Sequence, residues 1–474
     1  MDWGGGKLRA LVEDAELPIR ALAINENEMV RGGRLAQVIT TAAILDRLGP
    51  GYRFATELCL AGELEGETFK GAVIIRGNGD PSLSARFMTE KYQVWELFDQ
   101  WADVIAGEGI RTIEGPLVAD ASAFDQHWLA PGWPIERLGE PDLPSVSALN
   151  FNHNCIDVFW RSGQKAHGPA EFVVFPDLPD YLFITSNVLL SDSPRRPRTY
   201  RRVPEGNLIA VGGDHKVRTE AHDRAAIEDP ARYLIEAFGK RLALKEIEHQ
   251  GEMGTSFSLM PGEIRHPVNP IRIQASPPLA ELLELMARHD LTLNAETAFK
   301  ALGRRHGRAR QPGSFELGAQ AVRAFTDKLR LGGGAPFITD GSGRSRLNRL
   351  SAEHLIQVMR RMFKRLAGED YRRLFPQAGS EGILADRFGM DRRETAFDIE
   401  ETSSEGPSPP ISPPPVWAIA GSEEGAAGVA GWVRTAHGRE LLFALMVDDS
   451  TAPPAVLNSN LDRLVLEMSA FGMR

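Results

Sequence analysis

The chain has 474 residues, of which 42% are hydrophobic and 25% charged, and its net charge is -10. This composition is typical of a globular protein long enough for two or three domains. The acidic balance argues against a nucleic-acid-binding surface, and no apolar run approaches the roughly 18 residues that a membrane helix needs.

The first predicted elements are a strand and a polar turn within residues 18–30, followed by a helix over residues 34–48. Apolar residues recur along this helix close to the i, i+3, i+4, i+7 spacing of a buried face. Gly49 and Pro50 follow it, as these residues do at helix C-termini. Two strands are predicted next, over residues 52–60 and 70–77.

The middle of the chain is predicted to be rich in strands. Residues 92–107 form an amphipathic helix, and residues 110–125 read as strand, turn and strand. Residues 160–270 alternate short apolar runs with turn residues, which predicts mostly β-structure.

From residue 276 the hydrophobic pattern becomes helical, and the chain ends in strands and a last helix. Residues 403–415 are rich in proline and serine and are not expected to form regular structure. The predicted elements are helices within 276–303, 315–331 and 351–366, strands at 416–422 and within 427–448 with a turn at His437-Gly438, and a helix at 458–471.

Several stretches resemble one enzyme family. Residues 34–54 read RLAQVITTAAILDRLGPGYRF. They resemble the active-site helix of the D-alanyl-D-alanine carboxypeptidase/endopeptidase family, the class C low-molecular-mass penicillin-binding proteins. In that family the helix opens S-x-x-K and continues through T-T-A-A to L-G-P-x-Y-R-F. The resemblance spans most of the chain and is strongest at 34–62, 71–83, 112–160, 276–302 and 340–350.

The resemblance implies the fold and the domain organisation. The expected fold class is α/β (α+β), of the serine β-lactamase/DD-peptidase type, in which helices flank an antiparallel sheet. Residues 1–60 and 275–474 would form one discontinuous domain. Residues 61–274 would be a large insertion built from two small α/β and β-rich subdomains.

The first catalytic motif of the family is absent from the matched positions. The stretch Thr40–Ala43 aligns with the family's T-T-A-A, which places the serine nucleophile at Arg34 and the lysine base at Gln37. Serine and lysine three residues apart are neighbours on a helix, so the amine can take the hydroxyl proton. Arginine has no nucleophilic hydroxyl, and a glutamine amide is not a base near neutral pH.

The second motif, S-x-N, is also changed. Residues 290–296 read DLTLNAE, and the Ala-Glu pair at its end places serine at Asp290 and asparagine at Thr292. A register shifted by two residues would retain a hydroxyl at Thr292 and an amide at Asn294. The alternative interpretation is that Thr292 caps a helix beginning near Leu293.

The third motif, K-T-G followed by Thr or Ser, lies on the edge strand of the family's cleft. Here the lysine position is Ile419 and the threonine position is Ala420, whereas Gly421 and Ser422 remain. The hydroxyl of Ser422 could still contact a substrate carboxylate, but the cation that would strengthen this grip is missing.

One family segment is retained almost unchanged. Residues 340–350 read DGSGRSRLNRL, where the family has D-G-S-G-L-S-R-x-N-R-L, so Arg344 replaces a leucine. Gly341 and Gly343 permit a tight loop, and Asp340 could accept backbone hydrogen bonds that hold the turn at Ser342. A structural role fits these four residues better than a catalytic one.

The other residues that could act as a nucleophile, form a disulfide, bind a metal or contact an anion give weaker indications of function. Another S-x-x-K occurs only at Ser162–Lys165, in a predicted polar turn. Cys59 and Cys155 could form a disulfide, but two buried, unpaired thiols are the preferred interpretation. The histidines show no metal-ligand spacing. Arginine clusters at 195–196, 201–202 and 304–310 are typical of solvated faces, although they could also contact an anionic polymer such as peptidoglycan.

Three functional hypotheses follow. The first is a catalytically silent relative that binds a cell-wall peptide or a partner protein, with Arg34, Thr292, Asn294, Gly421 and Ser422 as candidate ligand contacts and with no metal or cofactor. In it, Arg34 could fill the nucleophile pocket or clasp a carboxylate. The second is an active peptidase with relocated catalytic groups. The third is a scaffold that acts through its inserted domains.

The sequence says less about the cellular location and the oligomeric state than about the family. The family is exported, which implies a periplasmic or cell-envelope location. Residues 1–12 lack the apolar segment of a signal peptide, so a cytoplasmic location stays open. The oligomeric state is not indicated.

Overall fold

The computed structural model describes residues 1–17, 19–84, 94–161, 163, 165–179, 181–203, 206–258, 268–365, 367–389 and 416–470. The chain forms two compact units. The first contains Met1–Tyr52, Pro278–Leu291 and Gly318–Arg474, and the second contains Arg53–Pro277 and Thr292–Leu317.

Helices and strands alternate along the described residues. The helices are α1 (Ala36–Leu48), α2 (Val94–Gly107), α3 (Pro230–Leu244), α4 (Leu279–His289), α5 (Thr292–His306), α6 (Phe315–Leu329), α7 (Ala352–Met362), α8 (Gly368–Arg372) and α9 (Pro454–Ala470). The strands are β1 (Lys7–Asp14), β2 (Arg20–Ile24), β3 (Val30–Arg31), β4 (Ala55–Glu65), β5 (Thr68–Gly77), β6 (Thr112–Ile113), β7 (Leu117–Asp120), β8 (Cys155–Arg161), β9 (Glu171–Phe175), β10 (Phe183–Ser186), β11 (Leu189–Ser191), β12 (Thr199–Arg202), β13 (Leu208–Gly212), β14 (Asp214–Lys216), β15 (Glu220–Ala226), β16 (Glu248–His249), β17 (Met253–Thr255), β18 (Asn269–Ala275), β19 (Arg349–Leu350), β20 (Val416–Glu423), β21 (Ala426–Arg434) and β22 (Glu440–Asp448).

The first unit is built on a five-stranded antiparallel sheet with the strand order β2-β1-β22-β21-β20. Two of the three inner strands, β21 and β22, are buried along almost their whole length, because helices pack on the sheet. Helix α7 packs on β1 and β22, and α9 packs on β20 and β21. Strand β20 lies at one edge of the sheet.

Helix α1 is the central helix of this unit. Every residue from Ala36 to Leu45 is buried, as is typical of a helix enclosed on all sides. It ends at Gly49, whose φ of 83° suits glycine and whose N–H donates to Leu45 O. The helix predicted over residues 34–48 is therefore confirmed, and its first turn, Gly33–Leu35, is a 3₁₀ turn.

The second unit consists mainly of strands. Its largest sheet contains β16, β6, β5, β4 and β18 in that order, with β7 pairing β5 and β17 pairing β7. Smaller sheets are β15-β8-β9, β10-β13-β12 and β11-β14. Helix α3 packs on β7 and β17, and α2 packs on α3.

Two elements of the structure were not predicted from the sequence. Residues 160–270 are mostly β-structure, as predicted, but they also contain α3. The start of α3 is fixed by Asp229, whose side chain accepts from Arg232 N, and Tyr233, Leu234 and Phe238 form its buried face. The strand predicted within residues 18–30 is β2, and β1 precedes it at Lys7–Asp14.

Two features singled out in the sequence, the proline-rich stretch 403–415 and Ser162, lie outside the described residues. The predicted domain bounds stay a prediction; in the structure Thr292–Leu317, assigned from sequence to the first domain, belongs to the second compact unit.

Candidate functional site

Arg34 lies in the turn before α1 and is bonded entirely within the first unit. Its side chain is only 7% exposed. Nη1 donates to Ala420 O at 3.0 Å on strand β20, and Nη2 donates to Ala287 O at 2.5 Å near the end of α4. Nε lies 3.0 Å from Asp290 Oδ1. Nη1 and Nη2 therefore donate hydrogen bonds to carbonyl groups, whereas Nε lies at ion-pair distance from Asp290 without the geometry of a hydrogen bond.

Asp290 joins Arg34 to a second arginine. It follows α4 in the left-handed conformation, with φ 57° and ψ 45°, which Asp tolerates better than most residues. Its other oxygen, Oδ2, accepts from Arg344 Nη2 at 2.5 Å. One carboxylate thus lies between two guanidinium groups, and we call Arg34, Asp290 and Arg344 the Arg–Asp–Arg cluster.

The cluster shifts the pKa of its buried member. Burial lowers the pKa of Arg34 from its ordinary value, and the positive charge of Arg344 lowers it further, whereas Asp290 raises it. Arginine nevertheless stays protonated in proteins because its intrinsic pKa is so high. Arg34 is therefore a buried cation, and its counter-charge is Asp290.

Gln37 is held one turn along α1. It is 1% exposed, and its Nε2 donates to Ser342 O at 3.0 Å. Its Oε1 has no hydrogen-bond partner among the described residues. Thr40, on the same side of the helix, donates from Oγ1 to Gly341 O at 2.8 Å. These bonds fix one face of α1 against the loop 340–343.

That loop is organised by Asp340. Its carboxylate accepts from Gly343 N at 3.0 Å, from Ser345 N at 2.7 Å and from the Asn348 amide at 2.7 Å. Gly343 has φ 88°, and a Cβ there would lie 2.1 Å from Gly33 O. Only glycine permits the loop to lie this close to the turn that carries Arg34.

Strand β20 passes directly beside Arg34. Ile419 and Ala420 are buried, and a Cβ at Gly421 would lie 2.7 Å from Arg34 Cβ. Ser422 is exposed, and its Oγ accepts from Asn458 Nδ2 at 2.9 Å. Of the sequence-predicted residues on this strand, only Ser422 presents a hydroxyl to solvent.

Thr292 and Asn294 belong to the second compact unit. They lie in the first turn of α5 and are 4% and 1% exposed. The helix begins at Thr292 itself, and within the described part of the chain Thr292 Oγ1 has no hydrogen-bond partner. The predicted cap at Thr292 is therefore wrong, because the residue is already helical.

The structure also assigns a contact that sequence reasoning missed. Arg344 was noted only as a departure from the family's leucine, yet it completes the cluster with Asp290. The sequence offered one indication of this contact, which is charge complementarity: Arg344 and Asp290 both align with positions where the family has uncharged residues.

Metal and membrane features are absent from the part of the chain that the structure describes. No group of His, Cys, Asp and Glu there is placed to hold a metal ion, and no helix there is long and apolar enough to span a bilayer. Cys59 and Cys155 are buried and unpaired.

Comparisons with known proteins agree on one family and one fold. The model of the D-Ala-D-Ala carboxypeptidase 3 (S13) family matches residues 10–465. D-alanyl-D-alanine carboxypeptidase DacB of Haemophilus influenzae is 24% identical over 469 residues, which cover 92% of this chain and 86% of DacB.

Solved structures share the fold. The crystal structure of penicillin-binding protein 4 (dacB) from Haemophilus influenzae superposes with a TM-score of 0.81 at 21% identity, covering 98% of this chain and 97% of that one. A predatory endopeptidase from Bdellovibrio bacteriovorus, solved in complex with an immunity protein, gives a TM-score of 0.50 at 15% identity and covers 98% and 93%. The predicted serine β-lactamase/DD-peptidase fold is therefore confirmed.

Proposed function

The chain belongs to the D-Ala-D-Ala carboxypeptidase 3 (S13) family, and we propose that it is a member without peptidase activity that acts by binding. The observation that carries the proposal is the Arg–Asp–Arg cluster. The family's nucleophile position is occupied by a buried guanidinium whose three nitrogens contact Asp290, Ala287 O and Ala420 O.

The chemistry of acyl transfer supports this proposal. The reaction needs a nucleophile and a base that removes its proton. Arg34 offers neither a hydroxyl nor a basic lone pair, and the Gln37 amide donates to Ser342 O instead of accepting a proton. Loss of the nucleophile alone lowers kcat of a serine hydrolase by about 10⁶.

The surroundings of Arg34 also favour a filled pocket over a carboxylate clasp. Its two terminal nitrogens already donate to carbonyl groups and its Nε lies beside Asp290, so an incoming carboxylate would have to displace Asp290 or two carbonyl groups. Breaking a buried ion pair is costly. The proposed binding therefore uses surfaces other than the guanidinium of Arg34.

A location in the cell envelope and a peptidoglycan-related ligand or protein partner complete the proposal. Its support is family membership, since the matching family consists of D-Ala-D-Ala carboxypeptidases. The immunity-protein complex of the Bdellovibrio endopeptidase shows that a protein of this fold binds a protein partner.

The proposal is tested by measuring D-alanine release from a pentapeptide muropeptide with the purified full-length chain. We expect release at the rate of the buffer control. An active enzyme with relocated groups would instead release D-alanine, and Ser422→Ala, which removes the exposed hydroxyl on β20, would abolish that release.

A further inference from the structure

The small sheet β10-β13-β12 in the second unit has one buried and one uncovered face. Side chains alternate between the two faces of a strand. Ile209, Val211 and Tyr200 are buried on the inner face, where Arg202 also forms an ion pair with Glu228 at 2.9 Å. The residues between them point outward.

The outward residues form ordered rows across the three strands. In the first row Phe183 pairs with Leu208, and Val203 N donates to Leu208 O. These three apolar side chains are 59%, 38% and 47% exposed. Exposed apolar side chains that lie next to one another in this way are candidates for contact with a ligand.

The next rows are polar. Thr185 pairs with Ala210, which pairs with Arg201, and beyond them Gly212 pairs with Thr199. All the side chains that border the middle strand here can donate or accept hydrogen bonds. Arg201 forms no ion pair within the described part of the chain, although most arginines around it do.

The middle strand makes this face a trough. Its outward side chains become smaller from Leu208 to Ala210 to Gly212, so the larger side chains of the two flanking strands stand higher on either side. A cavity of about 390 Å³ lies there, lined by Thr185, Ser186, Asn187, Thr199, Arg201, Ala210, Val211 and Gly212. The middle strand runs for about 13 Å from Leu208 to Gly212, so the apolar row of Phe183, Leu208 and Val203 lies at one end of the trough, outside the lining of the cavity.

The lining indicates the chemistry of the ligand. A sugar ring has a face of C–H groups that stacks on an aromatic ring, and hydroxyl groups at its edge that bond to Thr, Ser and Asn side chains. A free arginine adds a site for a carboxylate. Apolar contact with a few directed polar groups is the usual composition of a small-ligand site.

We propose that this trough binds a cell-wall glycan strand without its stem peptides, whose muramic acid carboxylates are free, with Phe183 as the stacking residue and Arg201 as the carboxylate contact. This inference rests on the proposed function, because it names the cell-wall component that a non-cleaving family member would bind. It places binding in the second compact unit, whereas the Arg–Asp–Arg cluster belongs to the first.

The test is isothermal titration of the full-length chain with three probes. They are peptide-free peptidoglycan glycan strands, whose muramic acid carboxylates are free, a neutral N-acetylglucosamine tetramer, and the free stem peptide. We expect the strands to bind. Phe183→Ala, which removes the stacking ring, and Ala210→Leu, which fills the trough, should each raise Kd for the strands about tenfold or more.

Arg201→Gln should weaken binding of the strands while leaving the neutral tetramer unaffected. The matched control is Phe257→Ala, since Phe257 is 40% exposed in the same unit but lies outside this sheet. Absence of strand binding, equal binding by Phe183→Ala and Ala210→Leu, or binding of the stem peptide alone would overturn the inference. None of these results bears on D-alanine release, so the two proposals fail separately.

Discussion

The carboxylate of Asp290 lies 3.0 Å from the guanidinium Nε of Arg34, and the sequence resemblance aligns these two residues with two serines of the family's motifs. By that alignment, a charged pair would replace a pair of hydroxyls. Arg344 contacts the second oxygen of Asp290. The substitutions compensate one another, because a lone arginine buried at position 34 would lack a counter-charge.

Asp290→Asn should destabilise the chain by about 2–3 kcal/mol. The change removes the counter-charge of a buried guanidinium, which usually costs about 3–5 kcal/mol, and the 25% exposure of the Asp290 side chain reduces the effect. Asparagine tolerates the left-handed backbone at this position. The free energy of unfolding is measured by urea denaturation.

The matched control is Asp327→Asn in the same unit. Asp327 lies 3.4 Å from Arg323, and both side chains are more than half exposed. Such surface pairs contribute about 0–1 kcal/mol. Equal effects of the two substitutions would show that Arg34 is not held by a buried ion pair.

Gly421→Ala should cost about 1–3 kcal/mol of stability. The new Cβ would lie 2.7 Å from Arg34 Cβ, so the strand or the turn must move. Arg34→Ala retains Cβ and should not relieve the clash. Gly51→Ala is the control, since a Cβ there meets no atom within 4 Å; a harmless Gly421→Ala would contradict the close approach of β20.

Asp214 should titrate below the ordinary range of a carboxyl group. The hydrogen bond from Arg196, together with those from the Arg195 and Arg196 backbone N–H groups, lowers the pKa of Asp214 from 3.8 to about 2. A lowered folded-state pKa gives stability that is present above pH 3.8 and is lost as the pH falls towards 2.

The measurement is the pH dependence of the unfolding midpoint. The difference between the wild type and Asp214→Asn should shrink as the pH falls from about 4 to about 2. A difference that stays constant over this window would mean that Asp214 is not held as a carboxylate.

Neither cysteine should react with a thiol reagent in the native chain. Burial raises the pKa of Cys155 to about 11 and also raises that of Cys59. Little thiolate is therefore present at pH 8, and the thiolate is the reactive form. Ellman's reagent should detect both thiols only after denaturation, whereas rapid native labelling would indicate an opened core.

The elements around the site were largely predictable, but its contacts were not. Helix α1 and strands β20 to β22 followed from local apolar patterns, Gly49 and the turn at His437-Gly438. The Arg–Asp–Arg cluster depends on segments far apart in sequence, and a charge at position 34, 290 or 344 has no visible partner until the chain is folded.

Two misses have local causes. Helix α3 was overlooked because short apolar runs were read as strands, although Tyr233, Leu234 and Phe238 have helical spacing. The alternative interpretation of Thr292 as a cap rests on the frequency of threonine at helix caps, whereas in the structure Thr292 is already part of the helix. The trough could not be predicted from the sequence, because its rows of side chains form only when β10, β13 and β12 pair.

The most direct test of the central claim is the intact mass of the full-length chain after incubation with benzylpenicillin. An active family member would form a covalent acyl adduct on its serine. Since we propose that Arg34 stands in place of that serine, we predict an unchanged mass. A stoichiometric adduct that disappears in Ser422→Ala would contradict the account.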